Sequence, residues 1–461
     1  MTQQTTGESQ PSSDRPRVVI VGGGITGLST AHRLGELDPA VKAVVLEASG
    51  RAGGVLRTAA DQGFLIEESA DSFLTAVPDG VNLCRRLGLD EELIPTDPRF
   101  RRAFVVCRGK LEPIPDGLLI MAPTRFWPML ATPVLSLRGK LRMGLEYWVP
   151  RGSQADESLA SFATRRFGRE AFDRLIQPLV GGMYTGDPHR LSVQATMPRF
   201  PQMEASHGSL IRAAVRQRSA QAQGQGAGSG ARYGLFAGLR GGMSSLVDAL
   251  LRNLPSGTVH CGVKAQRLER AASGRWLVQA DGAEGGRLYE ADAVILATPV
   301  RAAAALLADV DSGLAANLFR VESTSCAIVS LAYRRVQVAH ALDGFGFVVP
   351  KVENRAILSG SFSSVKFPGR APEGMVLFRA FLGGAFRPEL LDQDDKALCA
   401  LAAGELAALL GITGDPLLRR VSRWVDVMPQ YEIGHVDLVS AIESSVSKLP
   451  GLAIAGNAYH G

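Results

Sequence analysis

The stretch Arg17–Glu47, RVVIVGGGITGLSTAHRLGELDPAVKAVVLE, decides the fold. Val18–Val21 is a short β-branched run of the kind that fills a buried parallel strand. Gly22, Gly24 and Gly27 then spell G-x-G-x-x-G, with Gly23, Ile25 and Thr26 between them. The first glycine permits a sharp turn. The second lets backbone approach a pyrophosphate, and the third lets a helix pack close to the strand. The helix predicted over Leu28–Leu37 aims the free N–H groups of its start at phosphates. Val44–Leu46 is the second strand. Glu47 follows Gly27 by twenty residues, where a carboxylate accepts hydrogen bonds from a ribose diol. Alone, G-x-G-x-x-G is weak evidence, because glycine-rich turns are common. In strand–turn–helix–strand–acid order it predicts a bound adenine dinucleotide.

The next residues choose between cofactors. After Glu47 come Ala48-Ser49-Gly50-Arg51-Ala52-Gly53-Gly54-Val55-Leu56. The pattern E-x-x-x-R-x-G-G resembles the second fingerprint of FAD-dependent, amine-oxidase-type flavoproteins. That resemblance implies that Arg51 neutralises the pyrophosphate and that the glycine pair lets the backbone through Leu56 lie against the dinucleotide. The alternative is a solvated Arg51 beside an ordinary turn. Together the two fingerprints favour FAD over NAD.

Composition agrees with a multidomain enzyme. A chain of 461 residues is too long for one core, so two or three domains are expected. The net charge is +5 and the isoelectric point about 9.0. No Lys/Arg block or nucleic-acid motif accompanies that excess. It is read as fit for an anionic substrate or a membrane surface, and no nucleic-acid partner is expected. Cys84, Cys107, Cys261, Cys326 and Cys399 are scattered and none forms C-x-x-C. Reduced thiols in a cytoplasmic protein are expected, without disulfides or zinc. His32, His189 and His435 show no ligand spacing, and no metal site is predicted. Residues 1–16 are polar, lack an apolar signal core and read as a disordered leader. No apolar run is long enough to span a bilayer.

Further along, Val81–Leu87 reads as a helix, and Phe104–Cys107 and Leu111–Ile114 as a hairpin around Arg108-Gly109-Lys110. Residues 117–218 are mainly helical in pattern. Their segment GLLIMAPTRFWPMLATPVL is apolar and proline-broken, and Arg138, Lys140 and Arg142 follow it. It reads either as a membrane-docking or substrate-entry region or as an ordinary helical core. Residues 219–232 are low-complexity and predict a flexible loop. A strand, a Gly-Gly turn and a helix capped by Ser244 or Ser245 follow within Leu235–Leu250. Val259–Leu268, Trp276–Ala280 and Ala291–Thr298 read as strands, as do Ala327–Tyr333, Gly346–Val349, Val376–Leu382 and Leu452–Ala455.

The chain as a whole resembles the oxygen-dependent, FAD-containing protoporphyrinogen/coproporphyrinogen oxidase family of amine-oxidase-like flavoproteins. The matching stretches are VVIVGGGITGLSTAHRL, GRAGGVLRT, LVGGMYTGDPHRLSVQATMPR, FAGLRGGMSSLVDAL, DGFGFVVP, MPQYEIGHVDLV and LPGLAIAGNAYHG. The block with Gly182, Tyr184, Gly186, Asp187 and Pro188 separates this family from generic amine oxidases. The fold implied is α/β: a two-dinucleotide-binding, Rossmann-like FAD domain, an α+β substrate domain and a helical, membrane-associating domain. The expected FAD domain is 17–80 plus 233–300 plus 420–461. The substrate domain is 81–116 plus 301–419, and the helical domain 117–218.

The resemblance also implies site residues. An FAD-contacting turn falls on Ser69-Ala70-Asp71-Ser72, without the family's usual Gly-Pro. An adenine-contacting backbone position falls on Ala265, and a flavin-flanking position on Trp424. Substrate positions fall on Gly182, Val348 and Phe381, and the propionate-binding arginine is assigned to Arg102. An acid at Asp71 facing an anionic substrate is expected to repel it. The reaction implied is oxidation of protoporphyrinogen IX to protoporphyrin IX in haem synthesis, with O2 as acceptor and H2O2 as by-product. The flavin takes the hydride, so no catalytic side chain is assigned. Coproporphyrinogen III is the alternative substrate. Another amine-oxidase-type flavoenzyme and a flavin-free haem-pathway carrier are the remaining readings. A cytoplasmic protein, peripheral on the inner face of the cell membrane, is expected, and the resemblance allows a homodimer. Family members continue past G-N-A-Y-x-G into a flavin-contacting segment. A chain ending at Gly461 is therefore also read as an inactive or flavin-poor truncated relative.

Overall fold

A computed structural model describes residues 15–100, 102–152, 155–222, 236–283 and 285–460. Most of the expected leader and residues 223–232 of the expected loop lie outside this range. Residues 219–222 do not start a loop, because the helix Leu210–Ala222 continues through them.

Two sheets organise the protein. The first has five strands in the order Val259–Cys261, Lys42–Glu47, Arg17–Val21, Ala293–Leu296, Leu452–Ile454. Each pairing is parallel. Val19, Ile20 and Val45 are completely buried, as a parallel sheet covered on both faces requires. The helix Ile25–Leu37 packs on one face with Ser244–Asn253. A three-stranded antiparallel sheet (Lys264–Arg270, Trp276–Gly282, Gly285–Ala291) is inserted before the fourth parallel strand. Its Trp276 is fully buried and donates to the Pro450 carbonyl at 3.1 Å. The segment read as one strand over Val259–Leu268 thus divides between two sheets.

The second sheet has seven strands in the order Leu418–Pro429, Ser323–Arg334, Met375–Gly383, Ile357–Phe362, Gly346–Val348, Phe104–Cys107, Lys110–Pro113. All its pairings are antiparallel except Gly346–Val348 with Phe104–Cys107. The predicted hairpin is present, and Arg108 and Gly109 both take positive φ, the mirror turn that matches strand twist. The helix Asp395–Leu410 packs against one face over a core of Val329, Leu331, Phe378, Ala380 and Leu406.

Two expected boundaries shift. The strand Leu418–Pro429 stays in the second sheet, so the chain re-enters the first only at Leu452. The helix Pro78–Arg86 and the strand Leu93–Pro95, assigned by sequence to the substrate domain, sit on the dinucleotide side. Leu83 and Cys84 share a core cluster with Leu246 and Val247, and Leu93–Pro95 pairs with Phe236–Leu239.

Of residues 117–218, read as mainly helical, Leu118–Leu119 and Ala122–Pro123 pair as a short antiparallel ladder, and helices run from Phe126 onward. The fully buried Glu146 and Arg166 pair at 3.1 Å. Glu146 also accepts from Ser209 Oγ at 2.6 Å and from the Leu210 and Ile211 amides, at the start of the last helix. That satisfies a buried charge on every side, without which it would be costly. No helix among the described residues is long and apolar enough to cross a membrane.

Candidate functional site

Gly22 and Gly27 of the opening stretch sit where a side chain would collide with neighbouring backbone. A Cβ on Gly22 would lie 2.4 Å from the Ala297 carbonyl oxygen, and one on Gly27 would lie 1.9 Å from that of Gly22. The second fingerprint closes over the first. Gly24 and Gly53 form an isolated parallel bridge, the Gly53 amide donates to the Gly23 carbonyl at 2.8 Å, and a Cβ on Gly54 would meet Gly24 Cα at 3.0 Å. Gly24 caps Ile25–Leu37 without any side-chain hydrogen bond, so the first-turn amides of Ile25 and Thr26 carry no side-chain cap. The buried Thr298 hydroxyl, beside Gly22, has no partner.

Glu47 ends the second strand beside these glycines. One carboxylate oxygen accepts from the Gly23 amide at 2.7 Å; the other accepts from the Ser49 amide and hydroxyl at 2.8 and 2.7 Å. Ala48 is exposed beside it. The Arg51 guanidinium spends its donors on the carbonyls of Gly54, Ala52 and Leu56, at 2.6, 3.1 and 3.3 Å. It folds its own loop around a cation that burial, then neighbouring Arg57, pull below the usual arginine pKa. Val55 is exposed and Leu56 buried. A helix start without a side-chain cap, an orphaned hydroxyl and a partly buried guanidinium, on glycines that let the backbone close in, fit a dinucleotide pyrophosphate.

The turn after Phe64–Glu67 is fastened to the second sheet. Arg379 pairs with Asp71 at 3.2 Å and donates to the Ser69 carbonyl, while Lys366 pairs with Asp71 at 2.7 Å and donates to Ser72 Oγ at 3.1 Å. Arg420 and Arg57 hold Glu68 at 2.5 and 2.9 Å, and Trp424 Nε1 donates to the Glu68 carbonyl at 2.6 Å. Arg370 faces Glu67 at 3.4 Å. Ala70 is exposed at the tip. Burial pushes the Asp71 carboxyl up, but Lys366 and Arg379 overcome it and hold it well below the carboxylate range. The repulsion expected at Asp71 is therefore cancelled at its source: five cations face three acids in this cluster. Glu67 behaves oppositely, its pKa raised by burial despite Thr58 and Arg370.

The register aligns the positions expected to meet the substrate. Val348 opposes Ser359, Ser359 opposes Phe381, and Phe381 opposes Ile328, so the four share one face of the sheet. A Cβ on Gly182 would touch Val348 Cγ1 at 3.5 Å, which places the helix Gln177–Tyr184 over this row. Beside it, Lys351 lies 4.5 Å over the Phe386 ring and donates its amide to Gln177 Oε1 at 2.8 Å, while Arg387 holds Asn354 at 2.7 Å.

Arg102 does not join this row. It lies one residue before Ala103, which packs on the helical core; its own side chain is 61% exposed and paired with Asp343 at 2.9 Å. Ala265 pairs with Ala280, and two residues earlier the Val263 amide donates to the Glu47 carbonyl at 2.9 Å. The cap expected from Ser244 or Ser245 is absent because tertiary partners take its place. Glu67 accepts from the Met243 amide at 3.0 Å, and Thr58 and Ser244 exchange hydrogen bonds.

Lys366, Arg370, Arg379 and Arg420 escaped the sequence reading. One signal was present: MVLFRAFLG is a nine-residue apolar strand with a single arginine, and arginine enters such a strand only when paired.

Comparison with known proteins adds the family context. The profile described as flavin containing amine oxidoreductase matches residues 25–461. Coproporphyrinogen III oxidase from Bacillus subtilis (strain 168) is 32% identical over 98% of this chain and 95% of its own. Coproporphyrinogen III oxidase from Propionibacterium freudenreichii subsp. freudenreichii is 34% identical over 98% and 88%. Protoporphyrinogen oxidase, chloroplastic, from Nicotiana tabacum is 30% identical over 96% and 82%. A crystal structure from Exiguobacterium sp. 255-15, named provisionally as a protoporphyrinogen oxidase, superposes with a TM-score of 0.84 at 29% identity, covering 97% of this chain and 94% of the other.

Proposed function

Because this chain belongs to the flavin containing amine oxidoreductase family, with FAD as its cofactor, we propose that it oxidises a propionate-bearing porphyrinogen to the porphyrin, with O2 as the final acceptor and H2O2 as by-product. The observation that carries this reading is the row Val348–Ser359–Phe381–Ile328 facing Gly182, beside a turn that carries more cations than acids. When bound, FAD supplies the hydride acceptor.

The chain's own residues bind, orient and keep dry. The amides at the start of Ile25–Leu37 and the charge of Arg51 would hold the pyrophosphate, and Glu47, at the end of the second strand, would accept from the ribose. The row Val348–Ser359–Phe381–Ile328 would give a flat macrocycle a wall, closed at its Val348 end by the helix that carries Gly182. Lys351 and Arg387 supply positive charge at the edge for carboxylates. Sequence analysis put protoporphyrinogen IX first. The basic edge favours coproporphyrinogen III, which carries more propionates. Anaerobic-to-aerobic assay of the purified flavoprotein, following porphyrin fluorescence, tests both. Porphyrin formation above the spontaneous rate is expected, with the larger kcat/KM for coproporphyrinogen III. Equal background rates with both substrates would overturn the proposal.

A peripheral membrane contact is proposed on a separate observation. Leu137, Leu141, Leu145 and Trp148 recur at helical spacing and are 53–78% exposed, and Trp127 is 78% exposed. Exposed Arg125 and Arg138 flank them. An apolar stripe edged by cations fits an anionic lipid surface.

A further inference from the structure

One side chain touches both halves of the candidate site. Arg379 is 2% exposed and sits in the middle of the second sheet, on the same strand face as Phe381. Its guanidinium reaches Asp71 and the Ser69 carbonyl on one side and lies 5.2 Å from the Phe381 ring centroid on the other. Lys366 reaches the same Asp71 from a different element, the short helix Ser363–Lys366. Besides these contacts, Ser69 Oγ donates to the Val55 carbonyl at 2.6 Å and Ser72 Oγ to Asp71 at 2.7 Å; the two cations on Asp71 supply the turn's ion pairs.

Two buried polar atoms here lack partners: Arg379 Nε and, directly opposite it across the ladder, Ser361 Oγ. Buried polar atoms are almost always satisfied, so such a pair marks a place where a ligand or an ordered water supplies the missing acceptor and donor. Positive charge also exceeds negative charge in the surrounding cluster.

We infer that Arg379 is a positioning residue: acting through Asp71, it sets the turn 69–72 against the flavin, orders Phe381 on the substrate side, and with Lys366 leaves the flavin in a net positive field. This rests on the reading that turn 69–72 borders the flavin of a porphyrinogen oxidase. Two-electron reduction adds negative charge to a flavin. A cation placed beside it therefore raises the reduction potential, and an anion lowers it.

The test exploits the opposite signs of the two partners. Arg379→Met, Arg379→Lys, Lys366→Met and Asp71→Asn are compared as full-length protein. FAD affinity of the apoprotein is read by flavin fluorescence, and the reduction potential by dye equilibration. Arg379→Met and Lys366→Met are expected to lower the potential and Asp71→Asn to raise it, with Arg379→Lys close to the parent. FAD Kd should rise roughly tenfold in Arg379→Met, the scale of one lost charged hydrogen bond. A purely structural role would shift all variants the same way or leave the potential unmoved, and either result overturns the inference. If Arg379→Met does not fold, Lys366→Met against Asp71→Asn gives the same sign test. The two readings fail separately. A parent that binds FAD but leaves porphyrinogens untouched removes the porphyrinogen reading and still permits the potential measurements. A parent that oxidises porphyrinogen while the potentials stay fixed removes only the role of Arg379.

Discussion

Gly27 and Gly35 lie on the same helix in opposite surroundings. A Cβ on Gly27 would overlap the Gly22 carbonyl, whereas one on Gly35 meets nothing within 4 Å. Gly27→Ala is therefore expected to lose about 1–3 kcal/mol and most of its bound flavin, by forcing helix and strand apart. Gly35→Ala should gain roughly 0.5–1 kcal/mol, since alanine loses less entropy in a helix interior. Thermal melting and flavin content of the two variants check both. At Asp71 the prediction concerns pH. Its folded pKa is held below the unfolded value, so its ion pairs stabilise fully above about pH 4 and fade as pH falls further. Asp71→Asn should be less stable than the parent at pH 7, and urea titrations should show that gap closing below about pH 4. The strand–turn–helix–strand unit was legible because each of its parts acts locally, through a turn, a helix start or a strand end. Arg379 and Lys366 were not, because Asp71 meets them across 308 and 295 positions of sequence.

The helix Leu137–Gly144 and the turn Leu145–Trp148 show what an element adds. The apolar segment 117–135 just before them, followed by Arg138, Lys140 and Arg142, reads in sequence either as membrane docking or as a helical core. The structure divides them: Val134, Leu135 and Met143 enter the helical core, while Leu137, Leu141, Leu145 and Trp148 face outward. The double variant Leu141→Ser/Trp148→Ser should weaken binding to anionic vesicles at least about tenfold, given the transfer energy of two large apolar side chains. Cosedimentation measures it, and flavin content should stay unchanged. Equal binding by parent and variant would remove the membrane proposal. The helix Ser244–Asn253 teaches the complementary lesson. A serine at its start predicted a local cap, but Glu67 and Thr58 from distant strands meet the amides first. Local propensity names a candidate; a tertiary partner displaces it when its geometry is better.

At the scale of the molecule, the two sheets are joined through the turn 67–72, whose acids are gripped by cations from the second sheet and its neighbouring loops. With flavin at that turn, as proposed, its binding should report on the whole fold. Stripping FAD is expected to lower the melting temperature, and reloading at one hundred times Kd should restore about 2.7 kcal/mol. Calorimetry of apo- and reloaded protein measures this, and a single shared transition would show that both sheets unfold together. The sequence by itself determined the parallel sheet, the glycine turn, the acid at Glu47, the second fingerprint and the family. Those features are carried by neighbours within about thirty residues, where side-chain type and backbone conformation are directly linked. Only the tertiary structure decided that Arg102 faces Asp343 rather than the row, that Val348 and Phe381 share a face, and that Asp71 is neutralised. Strand register, helix packing and buried charge pairing depend on segments far apart in the chain, and no local pattern specifies which of them meet.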